Sequence, residues 1–164
     1  MKEMDTDMLL KLVADNAKLT SAQLATMLGV AEEEAAAAIA QLEKAGIIKG
    51  YKALIDWDKT DRNLVCARIE LKVLPKSNMG FEEIAYTISQ FPEVETCYLM
   101  SGGYDLALTI SGKTFKDIAL FVAHRLAPLD AVQSTSTHFV LRKYKERGVL
   151  MVDDIKDERE VTSL

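Results

Sequence analysis

Apolar residues recur along this chain with two different periods, and the change of period divides it. From Asp5 to Ala17, Met8, Leu9, Leu12 and Val13 fall on one stripe of an amphipathic helix. Thr20-Ser21-Ala22-Gln23 reads as a capping box, with Thr20 as N-cap and Gln23 reaching back to it. It opens a short second helix whose apolar face is Leu24, Ala25 and Leu28 and which Gly29 ends. A third helix is predicted from Glu32 to Ala45, with Ala35, Ile39 and Leu42 inward and Gly46 just beyond its C-terminus. Ile47 to Ile55 then reads as a small β-wing. Three short helices, a Gly-containing turn between the second and third, and a wing make a winged helix-turn-helix pattern over residues 1–55. A generic three-helix module is the plainer alternative.

Residues 56–63 form a polar stretch that reads as a linker, with Trp57 as a packing anchor. Beyond it the period falls to two. Val65, Ala67, Ile69, Leu71 and Val73 alternate with Cys66, Arg68, Glu70 and Lys72, as in an antiparallel strand with one buried and one wet face. Pro75 to Gly80 is a loop, and Phe81, Ile84, Ala85 and Ile88 mark a helix ending near Phe91-Pro92. Strands follow at Val94–Met100 and Tyr104–Ile110, then a helix on Phe115, Ile118, Ala119, Val122, Ala123 and Leu126, then a last strand from Val132 to Tyr144. The order β-α-β-β-α-β over residues 64–146 is the ferredoxin-like split unit, so the chain is α+β. Its sheet has one face without helices, and that face and its edges are available to a second copy. Residues 147–164 read as a charged tail, extended or frayed from Met151 onward.

Between the middle strands lies Ser101-Gly102-Gly103-Tyr104-Asp105, a tight turn followed by an acid. Glycines here admit positive φ or the close approach of a ligand. Turn N–H groups can hold a carboxylate, and a carboxylate or hydroxyl can receive an ammonium. A plain β-turn, with Asp105 only steadying it, is the alternative.

Leu9-Leu10, the run Leu24 to Val30, and above all Leu42-Glu43-Lys44-Ala45-Gly46-Ile47-Ile48-Lys49-Gly50-Tyr51 resemble the DNA-binding half of the Lrp/AsnC transcription regulators. The later β-α-β-β-α-β order is similar to that family's effector-binding half. The resemblance implies double-stranded DNA as one partner. It implies an amino acid or similar small effector as another, and a homodimer assembling further, typically to an octamer. It places Met100, Ser101, Gly102, Gly103, Tyr104 and Asp105 in the effector pocket, with Thr135 and Thr137 as weaker candidates.

One feature departs from the family. Its recognition helix usually starts at a Ser N-cap and carries Arg or Lys outward, whereas here Ala31 stands at the cap and Ala37 and Ala38 stand where the basic residues would face the groove. From 31 to 45 the chain holds four Glu and one Lys. The Glu residues favour the helix dipole but disfavour phosphate. DNA contacts therefore fall to Lys18, Thr20, Ser21, Gln23, Gln41, Lys44, Lys49 and Lys52, summed over several copies.

Charge supports no broad basic field: residues 1–60 hold 7 Lys/Arg against 10 Asp/Glu, 61–145 hold 10 against 9, and 146–164 hold 3 against 6. Cys66 and Cys97 lack metal-site spacing and read as buried free thiols. His124 and His138 lack partners at catalytic or metal spacing, so no catalytic residue, metal or cofactor is expected. No apolar run reaches a membrane span and no signal peptide opens the chain, so a cytoplasmic protein with no membrane partner is expected. The function expected is an effector-responsive DNA-binding regulator. Its alternative is an oligomeric effector sensor whose acidic helix-turn-helix no longer reads DNA. Siroheme decarboxylases share the two-domain architecture, but no His and Arg cluster like theirs surrounds either histidine.

Overall fold

Asp5 starts the first helix because its carboxylate accepts the Met8 N–H at 3.0 Å, which satisfies one of the donors a helix start leaves open. The computed structural model describes residues 5–62, 64–75 and 80–152. It divides into two units, Met1–Leu54 and Ile55–Leu164.

In the first unit, α1 spans Thr6–Asp15, α2 Ser21–Leu28 and α3 Glu32–Lys44. The capping box predicted at Thr20 is present: Gln23 N–H donates to Thr20 Oγ1 at 3.3 Å, and Thr20 N–H to Gln23 Oε1 at 2.9 Å. Gly29 ends α2 at φ 70°, a left-handed conformation that costs glycine nothing. α3 has no side-chain cap, since Ala31 offers no acceptor, and Glu32, Glu33 and Glu34 in its first turn complement the dipole instead. Leu9, Leu24, Ala25, Ala35, Ala38 and Leu42 form the core, with Ile39 and Leu28 packed against it. Leu9 is completely buried, which contributes about 1.5–3 kcal/mol.

Two expectations need correction. Ala38 does not face outward: it is 9% exposed and lies in the core, one turn from both Ala35 and Leu42, while Ala37 is exposed. The small β-wing is not formed as strands either. Residues 47 and 48 are bends and 49–56 form no strand, and the Ile47 and Ile48 N–H groups close α3 on Leu42 O at 3.0 and 3.2 Å. Tyr51 O–H ties the segment back to α3 by donating to Glu43 Oε1 at 2.9 Å.

In the second unit a short 3₁₀ turn, Trp57–Lys59, precedes the four-stranded antiparallel sheet. Trp57 is half-buried, and the Arg62 guanidinium lies over its ring at 5.4 Å. The elements are β1 Val65–Val73, α4 Phe81–Ser89, β2 Val94–Leu99, β3 Leu106–Gly112, α5 Phe115–Phe121 and β4 Val132–Phe139, in sheet order β2-β3-β1-β4. β1 is the inner strand on which the core is built. Ala67, Ile69 and Leu71 are fully buried against Ile84 and Ile88 of α4 and Ile118 and Phe121 of α5. Arg68, Glu70 and Lys72 point to the face without helices.

Several boundaries differ from the sequence reading. β2 stops before Met100, and β3 starts after Asp105 rather than at Tyr104. α5 yields after Phe121 to a π turn, Val122–Leu126, closed by Ala127 N–H on Val122 O at 2.8 Å. The buried stripe runs Ile118, Phe121, Val122 and Leu126, so Phe121 is inward while Ala119 and Ala123 are exposed. β4 ends at Phe139 because β1 supplies no partner beyond the Val140 N–H bond to Cys66 O. β5 Lys145–Glu146 and β6 Val149–Leu150 then form a hairpin across Arg147 and Gly148, both at positive φ. The expected loop over 76–79, the linker's end at Asn63 and the tail over 153–164 lie outside the described residues.

Cys66, on the helix-free face, is buried as expected of a free thiol, whereas Cys97 is only half-buried. Cys66 lines a cavity of about 100 Å³ with Trp57, Ser111, Leu141 and Lys143. Burial pushes its thiol up from the ordinary value, as burial does for Cys97.

Folding thus favours both neutral thiols. The stability this confers is present below the unfolded pKa of about 8.5 and is lost as pH rises through the higher folded values. Titration with a thiol-reactive disulfide at pH 8 should find both cysteines slow in the native protein and fast in guanidinium. Thr20→Ala should cost about 1 kcal/mol of stability in thermal unfolding, and Thr20→Ser should restore most of it.

Candidate functional site

Two regions hold the candidate residues, one in each unit. In the first, α2 and α3 are set by the Gly29 turn, where the Gly29 and Val30 N–H groups both reach Ala25 O at 2.8 and 3.1 Å. Thr20, Ser21 and Gln23 gather at the start of α2. The Thr20 hydroxyl and the Gln23 carbonyl oxygen are engaged in the capping box, so they reach a ligand only by sharing those atoms or through the Gln23 amide donors. Lys18 is exposed just before them.

Gln41 and Lys44 are exposed, Lys44 on the side of α3 opposite Ala35, Ala38 and Leu42 and Gln41 on the flank between. Lys49 and Lys52 follow on the irregular segment after α3. The Lys49 ammonium sits against Gly46, 3.0 Å from where a Cβ would stand, near the negative end of the α3 dipole. Tyr51 belonged to the quoted motif, but its bond to Glu43 was not foreseen; burial first, and then that bond, raise the pKa of its hydroxyl.

In the second unit, the turn from Met100 to Asp105 joins β2 to β3. Asp105 is its anchor. Its N–H donates to Leu71 O at 2.9 Å, its carbonyl accepts Met100 N–H at 2.8 Å, and its Oδ2 accepts Val73 N–H at 2.8 Å. One carboxylate oxygen is therefore committed to the last rung of β1, a role the local sequence did not reveal. Ser101, Gly102 and Gly103 are exposed, Tyr104 and Asp105 half-buried. Gly102 has φ 141°, which side-chain-bearing residues avoid, and a Cβ at Gly102 or Gly103 would meet nothing within 4 Å.

Thr135 and Thr137 are not brought to the turn. They pair with Leu71 and Ile69 in β1, so β1 stands between them and β3, two strand spacings or about 10 Å away. The cavity beside Cys66 and an open groove lined by Trp57, Arg62, Lys113 and Phe115 lie at the other end of the sheet. His138, on the helix-free face, meets Ser136 Oγ at 3.1 Å and Glu70 Oε2 at 3.6 Å. Among the described residues no group of His, Cys, Asp and Glu is arranged to hold a metal, and no helix is long and apolar enough to cross a membrane.

Comparison with known proteins matches both regions. The model of the Lrp/AsnC ligand-binding domain covers residues 66–150, and that of the winged helix-turn-helix DNA-binding domain covers residues 6–49. An uncharacterized HTH-type transcriptional regulator of Bacillus subtilis (strain 168), YugG, is 42% identical over 156 residues, 94% of each chain. The leucine-responsive regulatory protein of Haemophilus influenzae is 26% identical over 137 residues, 84% of this chain and 82% of its own. The crystal structure of a Neisseria meningitidis transcriptional regulator in complex with L-Met superposes with a TM-score of 0.70 at 25% identity, covering 88% of this chain and 94% of that one. With its helix-turn-helix unit, its ligand-binding domain and relatives spanning both, this chain belongs to the Lrp/AsnC family of transcriptional regulators.

Proposed function

We propose that this regulator's assembly on DNA responds to a small effector, an amino acid or a close analogue, held at the Met100–Asp105 turn. The observation that carries the reading is the turn itself. Asp105 locks it to the end of β1 through two hydrogen bonds and closes the turn on Met100 with a third, while Ser101, Gly102 and Gly103 stay exposed with open space around the glycines. A rigid base with an accessible Gly-rich rim suits a ligand bearing both a carboxylate and an ammonium. The likeness to a regulator solved with L-Met supports the same class of ligand. Thr135 and Thr137, distant from the turn within one chain, enter such a site only from a second copy. The helix-free sheet face, with Arg68, Glu70 and Lys72 at its centre, offers a surface on which copies pair into dimers and then a larger ring, an octamer in the family's usual form.

The regulator is cytoplasmic in this reading. DNA contacts come from Lys18, Thr20, Ser21, Gln23, Gln41, Lys44, Lys49 and Lys52 of several copies. A sensor that does not read DNA is the second reading, favoured by the exposed Glu32 and Glu33 on α3.

Fluorescence anisotropy against DNA from upstream of the protein's own gene separates the two. The regulator should bind that fragment more tightly than a scrambled one and weaken with salt, the slope counting phosphate contacts. No binding at low salt by an intact oligomer, with and without amino acids, would leave the sensor. Thermal shift and sedimentation across the amino acids test the effector. A true effector at a hundred times its Kd should stabilise the protein by about 2.7 kcal/mol and move its sedimentation, whereas no response to any of them overturns the effector assignment.

A further inference from the structure

The outward stripe of α3 changes character along its length. Glu32 and Glu33 are exposed at its N-terminal end; Ala37, Ala40, Gln41 and Lys44 are exposed further along, and Lys49 and Lys52 follow. The opposite side, with Ala35, Ala38 and Leu42, is spent on the core. Over the 13 residues of α3, an axial rise of about 18 Å, the surface passes from carboxylates through methyl groups to an amide and an ammonium, and the exposed carboxylate of the C-terminal half, Glu43, accepts the Tyr51 hydroxyl. A helix in the major groove usually reads bases with its N-terminal residues. Here those residues carry charge of the same sign as the phosphates on either side of the groove, so that mode is opposed.

The C-terminal half has the complementary chemistry. Gln41 presents a donor and an acceptor side by side, the pattern that pairs with the N6 and N7 edge of adenine. Ala37 stands one turn before it, about 6 Å or roughly two base steps away, and Ala40 is adjacent in sequence. Alanine methyls suit the C5-methyl of thymine. From Glu32 to Gln41 there is no Arg or Lys to select guanine, and Lys44 falls in the last turn, at the basic end of the unit.

We propose that α3 reads DNA with its C-terminal half: Gln41 pairs with an adenine in the major groove, Ala37 and Ala40 rest on thymine methyls, and Lys44 holds a neighbouring phosphate. The chain therefore selects A·T-rich half-sites, and the first-turn carboxylates restrain binding everywhere else. This rests on the reading that the helix-turn-helix unit binds DNA, and the experiment separates the two.

Full-length protein is used to enrich sites from a pool of random duplexes, and anisotropy then measures the best duplex with each base pair replaced in turn. Wild type should enrich A·T-rich half-sites. Gln41→Ala, checked for unchanged thermal unfolding, should lose roughly tenfold discrimination at one A·T position in each half-site. Gln41→Arg should move the preference at that position to G·C, a change that a structural role of Gln41 would not produce. Glu33→Gln should tighten binding to selected and scrambled duplexes alike. The proposal is overturned if wild type binds specifically while both Gln41 variants keep its site and its discrimination, or if the enriched half-sites are G·C-rich. If intact wild type enriches no site, DNA reading itself fails and takes this inference with it.

Discussion

The burial of one face of β1 is the constraint on which the second unit depends. Ala67, Ile69 and Leu71 are sealed beneath α4 and α5, and strand geometry then sends Arg68, Glu70 and Lys72 to the other side. A slip of one residue against β3 or β4 would exchange these sets, so the register is strongly held. The same register delivers Asp105 to the end of β1, where its backbone meets Leu71 and its carboxylate meets Val73. The geometry of the turn is thus an extension of the core, and a fault in packing beneath β1 reaches the turn through two hydrogen bonds.

Much of this was legible because it is local. The capping box of α2, the Gly29 and Gly46 stops and the alternation of β1 are each set by residues within a turn or a pleat of one another. What was not legible depends on partners remote in the chain. Val140, Arg142 and Tyr144 continue an alternation that looks like strand, but β1 starts at Val65 and its pairing with this segment ends at the Val140 N–H bond to Cys66 O. Asp105 satisfies an N–H 32 residues earlier. Cys66 reads as a buried thiol from its sequence, but that Leu141 and Lys143 line the cavity beside it depends on where the chain goes after it leaves the sheet. Ala38 and Ala37 are chemically the same residue, and only the phase of α3 against Ala35 and Leu42 sends one inward and the other out.

The first unit shows how a helix can be well made and still be a weak ligand for a polyanion. Three Glu in the first turn stabilise α3 through the dipole, with no side-chain cap needed. The same charges oppose phosphate. Each phosphate contact contributes slightly less than one unit to the salt slope, so a unit with a handful of lysines binds feebly alone. Affinity in the proposed assembly comes from number, because copies joined through their sheets present several such units at high effective concentration. Under that arrangement weak, base-selective contacts are an advantage. A strongly basic unit repeated around a ring would hold any DNA, whereas one that gains only at matched bases multiplies its preference with each copy that binds. In that proposed assembly the spacing between copies would control the outcome, and an effector seated at the Asp105 turn would act on the sheet ends that set that spacing.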